Sequence, residues 1–192
     1  MTSMLVGAGA LSACQRMVHA ETKAGEGRRI APFACDVTPP MGTPVYSGYK
    51  PMSFRETPLM AKGIILEDNG QRYVLCAVDY CELRNSTHLL WRTKIAEAAG
   101  TDAARVAVQC VHQHTAPMAD ADAMRILVKE GDASSLASAE SFEEPAQRVA
   151  ESVKFALGCL VPFDQIGTSQ AKVERVASNR RVPVGDGKVG FR

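Results

Sequence analysis

Apolar positions along the chain recur at two spacings, and each spacing marks an element. Ile30 to Val37 reads as a strand. It stops at Thr38-Pro39-Pro40, where two prolines remove backbone donors. Ala61 to Glu67 and Arg72 to Val78 are β-rich runs on either side of Asp68-Asn69-Gly70. Asn-Gly between two such runs predicts a hairpin, because both turn residues tolerate positive φ. Tyr73 to Val78 is almost wholly apolar and predicts a central strand covered on both faces. Ser86 is placed to cap a helix running to about Ala99, with Gly100 as its stop. Thr101 to Ala104 turns the chain into a short buried strand, Val106 to Cys110. Further on, Ala146, Val149, Val153, Ala156 and Leu160 repeat at three to four residues and predict a helix from Glu143 to Leu160. Phe163 to Val176 reads as one more strand region.

The intervening segments are less regular. A long loop after Pro40 carries five glycines and prolines together with Tyr46, Tyr49 and Phe54, and long structured loops often carry function. Met118 to Ser141 is polar and alanine-rich, an insertion or a lid. The stretch from Asn179 to Arg192 has Gly185, Gly187 and Gly190 and no closing element. Strand, helix and strand in succession from Tyr73 to Cys110 imply a crossover unit. The expected fold is α/β, a mixed β-sheet flanked by helices.

Composition narrows the partners. The chain has 192 residues, 46% of them hydrophobic, enough for one domain with a core. Its net charge is +1 and no basic stripe is interleaved with aromatics, which argues against nucleic acid. No run of 18 apolar residues is present, so no membrane-spanning helix is expected. Met4 to Ala13 is nonetheless apolar and small, ending in Leu11-Ser12-Ala13-Cys14. It resembles a bacterial lipoprotein signal, in which Cys14 is lipidated and anchors the protein to a membrane surface. Cleavage after Val18-His19-Ala20 is a second pattern, and an ordinary small-residue helix or tail a third. Met1-Thr2-Ser3 lacks the basic residues of a signal's start. The expectation is export, to the periplasm or beyond. Six cysteines are present, none in a C-x-x-C pair and none assigned to a disulfide. Most read as small buried hydrophobes. Cys76 and Cys81 lie at an odd offset, on opposite faces if the strand runs through both, which disfavours shared metal binding.

The chemistry concentrates after Cys110. His112 and His114 stand two apart in Val111-His112-Gln113-His114-Thr115-Ala116-Pro117. On an extended strand end both side chains share a face. Neutral imidazoles are good zinc ligands, and zinc lowers the pKa of water toward neutrality. The bare pattern also fits two hydrogen-bonded surface histidines. Its place after a buried strand is where α/β proteins put their sites. Asp79 either orients a ligand histidine or caps a turn, and Asp36 reads as a turn-former. Arg180 offers two donors to a carboxylate or oxyanion, or is a solvated arginine. His88 reads as a packing or surface histidine, and His19 falls in the leader.

Taken in order, several motifs form a pattern. They are Asp36-Val37-Thr38-Pro39-Pro40-Met41-Gly42, Tyr46-Ser47-Gly48-Tyr49, Pro58-Leu59-Met60-Ala61-Lys62, Ala77-Val78-Asp79, the histidine segment and Asn179-Arg180-Arg181. The series resembles the N-terminal part of the neutral/alkaline, non-lysosomal ceramidase family, especially its bacterial ceramidase-like members. There the histidine motif usually reads Thr-His-Thr-His-Ser-Gly-Pro. Here Val111, Gln113 and Thr115-Ala116 depart from it, while both histidines and Pro117 remain. The resemblance covers about residues 30–192 and leaves residues 1–29 as leader and linker. It implies a zinc amidohydrolase that splits an N-acyl linkage, such as that of ceramide, into fatty acid and amine. His112 would be a zinc ligand, and His114 a neighbour that binds substrate or tunes the metal. Arg180 would contact the substrate near the scissile amide, and Gly48 and Tyr49 would line the pocket. The family's second histidine ligand, its glutamate and tyrosine ligands and its catalytic serine region lie downstream of the matching part. The chain is therefore expected to be an N-terminal portion of a larger catalytic domain, catalytically impaired alone. Other metal-dependent esterases or amidases, and an exported binding domain without catalysis, are the alternatives.

Overall fold

Five strands pair in the order β5-β3-β2-β1-β7 in a computed structural model, which describes residues 27–46, 50–131, 139–175 and 180–191. Strand β1 is Arg28–Asp36, β2 is Met60–Asp68 and β3 is Gln71–Val78. These three form an antiparallel meander. The β2–β3 turn is made by Asn69 and Gly70, with φ 49 and 83, the left-handed pair the sequence predicts. Strand β4 is only Glu82–Leu83. Helix α1, Asn85–Ala99, then crosses over to β5, Val106–Cys110, which lies parallel to β3. The predicted crossover unit is present. Strand β6, Met118–Ala119, pairs in parallel with β4, and helix α2 follows at Ala121–Lys129. Helix α3, Glu143–Ala156, leads through a 3-10 turn to β7, Val161–Pro162, which pairs with Arg29 and Ile30 at the β1 edge. A separate hairpin joins β8, Arg181–Pro183, to β9, Val189–Phe191. The fold is α/β, with a mixed sheet and packed helices.

The core lies between the sheet and helices α1 and α3. Ala31, Phe33, Ala61, Ile65, Val74, Cys76, Val78, Val106 and Val108 are buried on one sheet face. Ile95 and Trp91 of α1 and Val149 and Val153 of α3 meet them. Trp91 donates to the Phe142 carbonyl at 3.1 Å, and the Tyr80 hydroxyl donates to the Val37 carbonyl at 2.6 Å. Buried polar groups of this kind are tolerated because each has its partner.

Four expectations need correction. Strand β3 is central but is covered on one face only: Tyr73 and Leu75 are exposed, at 40% and 48%. The opposite face has no helix packed on it among the described residues. Ser86 does not cap α1; it lies in the first turn, and its N–H donates to Asp122 of α2 at 2.8 Å. Residues 163–175 form no strand and are largely exposed, because β7 ends at Pro162. Cys159 is disulfide-bonded, whereas Cys35, Cys76, Cys81 and Cys110 are free.

Candidate metal centre

Parallel pairing of β3 with β5 brings their C-terminal ends side by side, and the chain beyond both ends stays zipped. Val111 N–H donates to the Val78 carbonyl at 3.1 Å and His112 N–H to the Tyr80 carbonyl at 3.2 Å. Gln113 Nε2 donates to the Asp79 carbonyl at 2.8 Å, and Cys81 N–H to the Pro117 carbonyl at 3.0 Å. The loop after β1 is tied in by Tyr46 N–H, which donates to the Ala116 carbonyl at 3.0 Å.

The two histidines converge for a reason other than strand alternation. Strand β5 ends at Cys110, and His112 has a left-handed backbone with φ 64. A residue with a Cβ adopts that region at a cost, and such outliers gather at functional sites. The bend carries the two imidazoles to a ring-centroid separation of 5.1 Å, edge to face. The Tyr46 ring stands against His114 at 4.5 Å and lies 6.4 Å from His112.

Cys81 completes the cluster. Its Sγ lies 3.6 Å from His112 Nδ1, and its carbonyl lies 3.1 Å from the same nitrogen. One donor atom each from Cys81, His112 and His114 can be chosen so that all three lie within 4.8 Å of one another. Cys81 is buried and both histidines are exposed, so the group forms a floor and two walls open to solvent. Burial pushes the Cys81 thiol pKa up, the Glu82 charge adds to the rise and Arg84 opposes it. Glu82 Oε1 stands 3.8 Å from His112 Nδ1, and its other oxygen pairs with Arg84 Nε at 2.5 Å. A cavity of ≈ 230 Å³ beside the group is lined by Cys81, Glu82, Arg84, His88, Cys110 and His112. A larger one, ≈ 420 Å³, lies on the open sheet face and shares no lining residue with the histidines.

The other candidates divide. Asp79 holds no histidine: its Oδ2 accepts from Met60 N–H at 2.9 Å and ties β3's end to β2. Asp36 is a turn-former, accepting from Thr38 N–H at 2.7 Å. His88 Nε2 donates to the Val108 carbonyl at 3.1 Å, a packing role. One turn on, Arg92 Nε donates to the Val106 carbonyl at 3.0 Å. Arg180 is exposed just before β8, with no hydrogen bond or ion pair to the histidines. Gly48 and Tyr49 lie outside the described residues, as do Cys14 and His19 of the leader. Cys81 is the residue the sequence reading missed. Parallel pairing is the signal that could have found it, since residues just past β3 and β5 must then be neighbours.

No family model matches this chain, and no curated protein matches it. Solved structures do match. Neutral ceramidase from Pseudomonas aeruginosa aligns with a TM-score of 0.55 at 17% identity, over 71% of this chain and 22% of its own. A ceramidase complexed with C2 aligns with a TM-score of 0.53 at 18% identity, again over 71% and 22%. The likeness is one of fold. The chain thus spans about a fifth of the length of these neighbours.

Proposed function

We propose that this chain is part of a zinc-dependent amidohydrolase that cleaves an N-acyl amide bond, with ceramide-like lipids as the substrate class. The observation that carries the reading is the convergence of His112 and His114 at the C-terminal end of the β3–β5 pair. It stands in a fold that aligns with part of two ceramidases. The donor set fits the metal: two imidazoles with exposed edges, held by backbone hydrogen bonds on both sides. His112 would hold the ion, with His114 beside it.

A zinc ion there supplies Lewis acidity toward a carbonyl oxygen and lowers the pKa of water. The chain's own residues do the positioning. The left-handed turn at His112 aims its ring, and the edge of the Tyr46 ring limits where that of His114 can swing. Arg180 is assigned to hold the substrate near the amide, on motif order alone. An exported location belongs to the same proposal and rests on the leader-like residues 1–20. Mass spectrometry of the mature N-terminus tests it, and an intact Met1 start would overturn it.

The test of activity uses the full product of the gene, loaded with zinc. Fatty acid release from N-acyl lipids is expected, with His112→Ala lowering both zinc content and turnover. Retention of both by His112→Ala overturns the site. Hydrolysis of simple esters or peptides in place of N-acyl lipids overturns the substrate class. Stoichiometric lipid binding with no turnover overturns catalysis.

A further inference from the structure

We propose that Cys81 is a metal ligand, so that Cys81, His112 and His114 together form a sulfur-containing three-donor site that binds zinc within this chain. The inference deepens the reading of His112 as a metal ligand and rests on it.

Geometry is the first argument. A tetrahedral zinc with Zn–S of about 2.3 Å and Zn–N of about 2.0–2.1 Å separates a sulfur from a nitrogen ligand by about 3.6 Å. The Cys81 Sγ to His112 Nδ1 separation is 3.6 Å. That edge matches a filled site; one donor atom each from Cys81, His112 and His114 can be chosen so that all three lie within 4.8 Å, and His114 closes the remaining distance on binding.

The second argument is how each donor is held. Cys81 is anchored by its N–H on the Pro117 carbonyl, and His112 by its N–H on the Tyr80 carbonyl. These bonds join the chain past β3 to the chain past β5. Ligands from both segments are therefore brought together by the sheet before any ion arrives. Three donors from this chain leave the fourth tetrahedral position free for a water or a further ligand.

Binding has a defined proton balance. The Cys81 thiol proton leaves to solvent as Sγ bonds the ion. In the metal-free protein a proton on His112 Nδ1 is donated to the Cys81 carbonyl at 3.1 Å. An ion at Nδ1 takes that proton's place, the proton moves to Nε2 so that the imidazole stays neutral, and this one bond is lost. Glu82, 3.8 Å from Nδ1, offsets part of the charge brought in. One thiolate and two imidazoles select zinc or cobalt over magnesium and calcium.

Cobalt(II) titration of the whole chain reads the sulfur directly. A thiolate-to-cobalt charge-transfer band is expected at one equivalent, and zinc should displace it. Cys81→Ser should abolish the band and weaken zinc binding roughly 100-fold. Cys110→Ser, changing the thiol on the same cavity, should leave the band in place. X-ray absorption at the zinc edge of the unmutated protein supplies a reading that needs no variant. One sulfur at about 2.3 Å is expected. A shell of nitrogen and oxygen alone, or a band unchanged in Cys81→Ser, overturns the proposal. Neither result bears on amide hydrolysis. Zinc bound through sulfur with no N-acyl turnover in the full gene product would leave this site standing and remove the activity.

Discussion

His112 is a residue held in a conformation that its own Cβ disfavours. Its φ of 64 costs a non-glycine residue about 1–2 kcal/mol. His112→Gly should therefore be more stable to urea than His112→Ala, by about 1 kcal/mol, while binding zinc no better. Equal stability of the two variants would show that the turn carries no strain. Glu67 gives a second prediction at this scale. It is buried, and Arg72 and then Arg29 hydrogen-bond its carboxylate, which holds its pKa below the usual 4.5. A carboxylate whose folded pKa is lowered contributes stability above its unfolded pKa, and loses it as pH falls through the folded value. Denaturant midpoints measured downward from pH 5 should fall, and Glu67→Gln should flatten that fall. The His-x-His pattern was legible because it sits after a buried strand. Cys81 was not, because period-two reasoning treated it as part of a strand that ends at Val78.

Elements with strong local chemistry were readable, and those fixed by distant partners were not. The Asn69-Gly70 hairpin and the Gly100 stop are local: Gly100 has φ 64 and its N–H donates to the Glu97 carbonyl at 3.2 Å. A Cβ on Gly100 would also meet Arg72 at 3.2 Å. Gly100→Ala should cost about 1 kcal/mol, seen as a lower melting temperature with unchanged helix content. The start of α1 is tertiary. Its first turn is capped by Asp122, 36 residues away, where sequence reading looked to Ser86. Residues 163–175 carry strand-like composition, but the chain leaves the β1 edge after pairing with only Arg29 and Ile30 and forms no ladder there beyond Pro162. Composition can suggest a strand, but a neighbour has to supply the ladder.

At the scale of the molecule, the mixed sheet and its crossover followed from the order of apolar runs. The uncovered face did not, because a run as apolar as Tyr73 to Val78 looks the same whether one side or both are packed. Leu75 and Ala107 line the ≈ 420 Å³ cavity on that face, and Tyr73 stands exposed on the same face. Exposed apolar surface of this extent binds hydrophobic probes. Leu75→Lys should lower the fluorescence of such a dye with little change in melting temperature, and an unchanged signal would place the binding elsewhere. The helix α1 side chains on β5 decide what such a face can lead to. A bare sheet edge is a template on which further strands polymerise. Here one edge is the two-residue β7 with Pro162, and at the other Arg92 and His88 already occupy the Val106 and Val108 carbonyls. Molecules that meet through the open face find the Val106 and Val108 carbonyls of the β5 rim already taken, which leaves less of the ladder a fibril needs on that side.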